Sequence, residues 1–321
     1  MSDRVIRIAF ASDNGYARPL AVAGRSVIRH LTAGRQLEIY VLDLGITEAE
    51  RAHIAASWEA PGVSVHWIGG LADALRGLPA GGSWISNAAY ARLLLPDVLP
   101  EAVDRVLYLD CDLVVRRCVG PLFDSDFDGA VALAVPDMGC PFVGSLWGVG
   151  GWFEAGRTPG ETNFNTGVLL IDVAAWRRDQ IGRAALDYAR SRDADRPLFV
   201  VDQEALNATA GRRIRAADPH WNQQTELFSA GHAAVLPYPR DLVDDLRRDG
   251  WVIHYSLGSK PWQPGCTHPW ADEWYANLAD TDYRGWHPPR LPAAMVRLRR
   301  TARDVAGRSP RLRRVAHLIA G

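Results

Sequence analysis

The chain has 321 residues, 48% of them hydrophobic, enough to bury a sizeable core at a length between one large domain and two ordinary ones. Lys and Arg number 36 against 37 Asp and Glu, so the molecule has no net field to gather nucleic acid, and none is expected as a partner. Its four cysteines, Cys111, Cys118, Cys140 and Cys266, lack CxxC spacing and are too sparse for a disulfide framework, which argues against a zinc site and points to a reducing cytosol.

The opening MSDRVIRIAFASD is charged from its third residue and carries no long apolar run, so no secretory signal is expected. No later stretch approaches the ~20 apolar residues that cross a bilayer. Val5 to Ala11 reads as a short apolar strand, and the apolar spacing of Leu20, Ala23, Val27, Ile28 and Leu31 predicts a helix after it. Leu37 to Leu44 is the second predicted strand. Thr47 and Glu50 have the spacing of a capping box, which places a helix start there. Val63 to Ile68 supplies a third strand and 87 to 95 a further helix. Val106 to Leu109 is a fourth strand, apolar throughout as in a strand covered on both faces. Val131 to Val135 and Val168 to Val173 are further buried strands. Such alternation predicts a mainly parallel α/β sheet with helices on both faces, binding its ligands at the carboxyl ends of the strands.

Between Pro136 and Asn163 lies a Gly-rich stretch, GCPFVGSLWGVGGWFEAGRTPGET, too long for an ordinary connection. Phe142, Trp147, Trp152 and Phe153 make it either a mobile wall or lid, or an insertion that tucks its aromatics against the core. After Trp286 the run HPPRLPA breaks regular structure and leads to a basic tail. From Arg290 onward there are nine Arg and a single acid, Asp304.

Two carboxylates at i and i+2 where a buried strand ends, Asp110 and Asp112, can leave the sheet together and face one divalent cation. A nucleotide-sugar diphosphate needs such an ion to take up the charge of its departure. Asp-x-Asp alone describes equally well a solvated strand end or a capping turn. The apolar residues on either side, Val106 to Leu109 and Leu113 to Val115, favour the site.

Arg105 to Val115, RVLYLDCDLVV, resembles the Asp-x-Asp segment of glycosyltransferase family eight, retaining transferases that include bacterial lipopolysaccharide galactosyl- and glucosyltransferases. Other segments resemble the family's signatures in order: FASDNGY at 10–16, WISNAAYAR at 84–92, NFNTGVLLI at 163–171, VDQEALN at 201–207 and HYSLGSKPW at 254–262. The likeness covers roughly residues 5 to 265. It implies a GT-A fold over about 1–287, with a nucleotide-sugar-binding part to about 115, an acceptor part over 116–287, and 288–321 as the tail.

The resemblance also implies a Mn²⁺ site, with Mg²⁺ as the alternative, formed by Asp110, Asp112 and His254. An imidazole at the end of the apolar pair Val252-Ile253 favours the later metal. Lys260 and Gly258 would meet the diphosphate, although many relatives have Gly three residues after the His and this chain has Leu257 there. Ala11, Asp13, Tyr16 and Cys111 would hold base and ribose. Read alone, Asp13-Asn14-Gly15 is a simple turn. Arg92 would grip sugar hydroxyls or phosphate, or else be an exposed helix cation. Asn165, Asp202 and Gln203 would line the sugar, with helix capping the rival for Asp202. Asp137, Asp202 and Gln203 are the candidate catalytic residues, and the neutral Gln203 amide suits a same-face displacement better than nucleophilic attack.

The expected partners are a UDP-sugar donor and a saccharide or glycolipid acceptor. In the tail, Leu312, Val315, Ala316 and Ile319 lie at i, i+3, i+4 and i+7 among Arg311, Arg313, Arg314 and His317, as in a helix lying on an anionic membrane face. The expected setting is cytoplasmic, peripheral to the inner face of the plasma membrane. Two other readings share the aspartates. Asp110 to Val114 fits the DxDx[TV] form of haloacid-dehalogenase-like Mg²⁺ phosphatases, and a noncatalytic nucleotide-sugar binder would keep the same residues.

Overall fold

The computed structural model describes residues 5–79, 88–192, 201–228, 238–256 and 260–289. Among them the elements run β1 (Val5–Ser12), α1 (Ala17–Arg29), β2 (Gln36–Asp43), α2 (Glu48–Trp58), β3 (Val63–Ile68), α3 (Ala88–Val98), β4 (Arg105–Leu109), β5 (Leu113–Val115), α4 (Gly120–Phe123), β6 (Ala132–Pro136), β7 (Phe164–Asp172), α5 (Val173–Arg178), α6 (Ile181–Arg190), α7 (Val201–Ala210), β8 (Ile214–Ala216), β9 (Gln223–Gln224), α8 (Arg240–Arg248), β10 (Val252–His254) and α9 (Ala271–Leu278). The basic tail, Gly258 and the opening of the 84–92 segment lie outside the described residues.

A seven-stranded sheet has the order β3-β2-β1-β4-β7-β6-β8. β3, β2, β1 and β4 are parallel, as their apolar runs predict. β7 runs antiparallel to both β4 and β6, while β8 is parallel to β6. The reversal has a plain cause. A crossover helix is what returns a chain in the parallel sense, and the 137–163 connection between β6 and β7 contains none, so β7 comes back antiparallel. It also begins earlier than expected, at Phe164, so Asn165 to Gly167 lie within the sheet.

Successive strand residues face opposite sides, and the core divides accordingly. Ile6, Ile8, Phe10, Leu107 and Leu109 pack with α1 and α2 residues such as Leu20 and Trp58. Val106, Tyr108, Leu169 and Ile171 pack on the other face with Leu93, Trp176, Leu186 and Leu206 from α3, α5, α6 and α7. Helices therefore cover both faces. α1 and α2 meet closely because residue 24 is glycine; a Cβ there would lie 2.3 Å from the Trp58 ring.

The capping box at α2 is half formed. Thr47 accepts from Glu50 N–H at 3.4 Å, but Thr47 N–H donates to Asn14 and the Glu50 carboxylate accepts from Tyr283 O–H. Glu50 thus ties α2 to the C-terminal end of the described fold instead of closing its own helix.

A small second sheet, β5-β10-β9, sits against the ends of the large one. Its register sets His254 opposite Leu113, next to Asp112, and β9 runs parallel on the other side of β10.

The 137–163 connection is anchored by aliphatic side chains. Val143 and Val149 bury against Ala208 of α7, and Val143 N–H donates to Glu161 O at 2.8 Å. Of its four aromatics only Trp152 tucks in, partly buried against that cluster. Phe142, Trp147 and Phe153 are 45%, 38% and 63% exposed, as is Leu146 at 66%, which fits a wall and not a cover over the core.

Candidate active site

β4 ends at Leu109, and the chain beyond stays pinned: Asp110 N–H donates to Gly167 O at 2.8 Å, and Tyr255 N–H donates to Asp112 O at 2.9 Å. The first ties the end of β4 to β7, and the second brings the end of β10 to it. One ligating atom each from Asp110, Asp112 and His254 then lies within 4.8 Å of the others. His254 Nε2 is 3.2 Å from Asp112 Oδ1 and 3.7 Å from Asp110 Oδ2. The convergence needs glycine at 167, where a Cβ would stand 2.3 Å from His254 Cε1 and 2.7 Å from Asp110 Oδ2. Two hard carboxylate oxygens and an imidazole nitrogen on a shallow backbone suit a divalent cation.

Cations of the chain itself flank these groups. Lys260 Nζ is 2.5 Å from Asp112 Oδ2 and also donates to Tyr255 O. The Lys260 and His254 charges outweigh burial and hold the Asp112 carboxyl well below the usual range. Burial pulls His254 down, but the Asp112 carboxylate more than offsets it and the imidazole is raised. Lys260 is thus a buried ion-pair partner of Asp112 and not a solvated surface residue.

Arg92 is not the exposed helix cation that was the alternative reading. It is buried on α3, its Nη2 2.7 Å from Asp110, its Nε 2.9 Å from Asp202 and its Nη1 2.8 Å from Thr166 O, over the Tyr108 ring at 4.6 Å. All three guanidinium nitrogens meet protein groups, so it orients the Asp110 and Asp202 carboxylates. Burial disfavours the charge, yet Asp110 and Asp202 raise its pKa further. Burial lifts Asp202 above its ordinary value despite Arg92. Asp202, in the first turn of α7, accepts from the Thr166 hydroxyl at 3.0 Å, so it bonds to β7 as well as to α3.

Beside the charges lies a network of amides. Asp137 Oδ1 accepts the Gly139 and Cys140 N–H groups at 2.9 and 2.6 Å, the turn expected of an acid there. Its Oδ2 accepts from Gln203 Nε2 at 3.0 Å and Asn165 Nδ2 at 3.2 Å. Gln203 Oε1 accepts from Asn165 Nδ2 and Thr166 N–H, both at 3.3 Å. Asn165, Asp137, Asp202 and Gln203 are thereby brought together, all buried.

At the carboxyl end of β1, Asp13 accepts from Gly15 N–H at 2.9 Å, so the simple turn forms and engages one carboxylate oxygen. Cys111 Sγ–H donates to Ala11 O at 3.3 Å, which ties the β1 end to the Asp-x-Asp segment, and burial pushes the thiol up. The Tyr16 ring stands edge-on to Trp262 at 5.9 Å; burial first, then Asp112, raises its hydroxyl pKa. All four cysteines are free.

Four residues were missed by the sequence reading. Gly167 lies inside a quoted motif, but its spatial neighbours are far away in sequence. Tyr108 donates to Asp110 Oδ1 at 3.0 Å, a role hidden in an apolar strand. Asn222 is fully buried and bonds both His254 and Asn165. Glu226 is buried, accepts from Ser256 at 2.8 Å, and is pushed up to about 7 by burial and by Asp137. The polar run Asn222 to Glu226 between Trp221 and Leu227 was the available signal, since polar groups in an apolar setting need partners.

Residues 7–266 match the family model described as Glycosyl transferase family 8. General stress protein A of Bacillus subtilis (strain 168) is 26% identical over 292 residues, covering 91% of this chain and 98% of the relative. Lipopolysaccharide glucosyltransferase WaaO of Escherichia coli (strain K12) is 24% identical over 292 residues, covering 88% of this chain and 78% of the relative. Among solved structures, the galactosyltransferase LgtC in complex with donor and acceptor sugar analogs superposes with a TM-score of 0.70 at 28% identity, over 90% of this chain and 98% of that one. The phosphatase reading of Asp110-Cys111-Asp112 is overturned by the family match, which spans the whole site.

Proposed function

The chain belongs to glycosyl transferase family 8, a family of glycosyltransferases, and we propose that it moves a galactose or glucose from a UDP-sugar to a saccharide or glycolipid acceptor with retention, in the synthesis of a cell-surface glycan. The observation that carries this reading is the meeting of Asp110, Asp112 and His254 beside Lys260 and the Asp137–Asn165–Gln203 network. Asp110, Asp112 and His254 would hold Mn²⁺, or Mg²⁺ in its place. The ion would take up negative charge on the departing diphosphate.

The chain's own residues supply the rest. Lys260 adds a positive charge where the diphosphate would leave. Arg92 keeps Asp110 and Asp202 oriented while remaining out of reach of solvent. Ala11, Asp13, Tyr16 and Cys111, grouped at the β1 and β4 ends, would receive base and ribose. Asp137 already accepts four hydrogen bonds, about the capacity of a carboxylate, so it is poorly placed to attack an anomeric carbon. Gln203 is a neutral amide. Both facts favour displacement on one face, with the leaving oxygen accepting the proton of the incoming hydroxyl and Gln203 and Asp137 positioning the sugar.

Incubation with UDP-galactose or UDP-glucose, Mn²⁺ and a panel of saccharide acceptors tests this reading, followed by NMR of the new anomeric proton. Retained configuration and UDP release are expected; inversion, or release of inorganic phosphate from monoesters in place of UDP, overturns it. Gln203→Ala is expected to lose most turnover. Among the described residues no helix is long and apolar enough to cross a membrane. Attachment to the cytoplasmic membrane face would fall to residues 290–321, and flotation on anionic liposomes with and without them tests that attachment.

A further inference from the structure

A chain of hydrogen bonds joins the candidate metal ligands to the sugar-side amides, and its polarity can be worked out from its ends. Gly167 N–H can only donate, and it donates to Asn165 Oδ1 at 3.0 Å. The Asp137 carboxylate, bonded by two backbone N–H groups, accepts, and it faces Asn165 Nδ2 at 3.2 Å. The Asn165 amide therefore has a single orientation. Its oxygen must also be the partner of Asn222, which presents Nδ2 to it at 2.9 Å. With its nitrogen so assigned, Asn222 turns its oxygen to His254 Nδ1 at 2.9 Å. An amide oxygen cannot donate, so Nδ1 carries a proton. That leaves His254 Nε2 as the metal-binding atom, and it is the atom that faces Asp110 and Asp112.

We propose that Asn222, buried immediately before β9, is a positioning residue with two roles: it fixes His254 as the tautomer whose Nε2 lone pair meets a divalent cation, and it fixes the Asn165 amide toward Asp137 and Gln203. The inference rests on the metal-dependent reading given above. β9 is two residues long and parallel to β10, which pairs Gln223 with Ile253 and Gln224 with His254 and so holds Asn222 beside the imidazole. A hydrogen-bonded partner behind a ligating histidine typically contributes 10- to 100-fold in metal affinity or activity. Here the same partner also faces the sugar side, so a change at the metal and a change at the sugar are mechanically linked through one side chain.

Two substitutions in the full-length chain separate the roles. Asn222→Ala removes both bonds. Asn222→Asp keeps an oxygen for His254 Nδ1–H but offers no donor to Asn165 Oδ1. Mn²⁺ affinity, read from the free-ion EPR signal, and turnover with a UDP-sugar donor are measured for both, with thermal melts to verify folding. Asn222→Ala is expected to weaken Mn²⁺ about 10- to 100-fold and to lower turnover. Asn222→Asp is expected to keep Mn²⁺ affinity while kcat falls by about the same factor. Wild-type Mn²⁺ affinity in a folded Asn222→Ala protein overturns the inference alone. Equal loss of Mn²⁺ affinity in both variants also overturns it, since the aspartate retains the acceptor. A wild-type protein that takes up no Mn²⁺, or an Asp110→Asn variant that binds it unchanged, overturns the underlying metal reading as well.

Discussion

The strand-end cluster and the 137–163 wall are neighbours with opposite construction. At the cluster, Asp110, Asp112, Asp202, Arg92, His254 and Lys260 crowd together, each charge answered by another at hydrogen-bond range. In the wall, hydrogen bonds between loop residues and the small aliphatic contact of Val143 and Val149 set the backbone, while Phe142, Leu146 and Phe153 face outward. One region is organised to keep a charged geometry fixed. The other offers apolar and aromatic surface beside it, the kind of surface against which sugar rings and their aglycones stack. The contrast leads us to propose that chemistry and acceptor choice are carried by separate regions of this fold.

The strongest challenge to that contrast is Arg92→Leu. It would leave the buried Asp202 and the half-buried Asp110 without their cation, at a cost of about 3–5 kcal/mol. Chemical denaturation should show that loss together with loss of transfer. A stable, active variant would mean that the cluster does not depend on its charge balance.

Next in size is Glu226→Gln. The Glu226 carboxyl has its folded-state pKa raised from 4.5 to about 7 by burial and Asp137, so its neutral form fits the fold and its ionised form does not. Its contribution to stability is fully present below pH 4.5 and is lost as pH rises through about 7. The glutamine variant should therefore gain on wild type between pH 5 and pH 8 by roughly 3 kcal/mol at most. Melting temperatures that run parallel across that range would remove Glu226 from the buried carboxyl pair.

The smallest effect is expected in the wall. Phe153→Ser and Leu146→Ser should change stability by less than about 0.5 kcal/mol, as exposed positions do. Both should raise the acceptor KM several-fold while donor hydrolysis and kcat stay near wild type. If donor hydrolysis fell as far as acceptor use, the two regions would not be separable.

The parallel half of the sheet was legible because β1, β2 and β4 are mainly apolar and β3 alternates apolar with polar residues, patterns that are local. The reversed sense of β7 was not, since strand direction depends on the path of the connection. β5, β9 and β10 are two or three residues long and hold no period to read. At the site, Asp110, Asp112 and His254 could be named from motifs, and the structure brings them together. What the motifs could not give was who holds whom. Arg92 and Lys260, assigned to the ligand, also hold the protein carboxylates Asp110, Asp202 and Asp112, and Asn222 carried no motif at all. These relations depend on burial and on contacts between residues distant in sequence, 148 positions for Lys260 and Asp112.

The central claim is that Asp110, Asp112 and His254 form a divalent-cation site serving a nucleotide sugar. Calorimetric titration of Mn²⁺ into the wild-type protein and into Asp110→Asn, with and without UDP, tests it directly. The account predicts one Mn²⁺ per chain, tighter binding when UDP is present, and loss of most affinity in Asp110→Asn. Equal Mn²⁺ binding by both proteins, or no effect of UDP on it, would contradict the account.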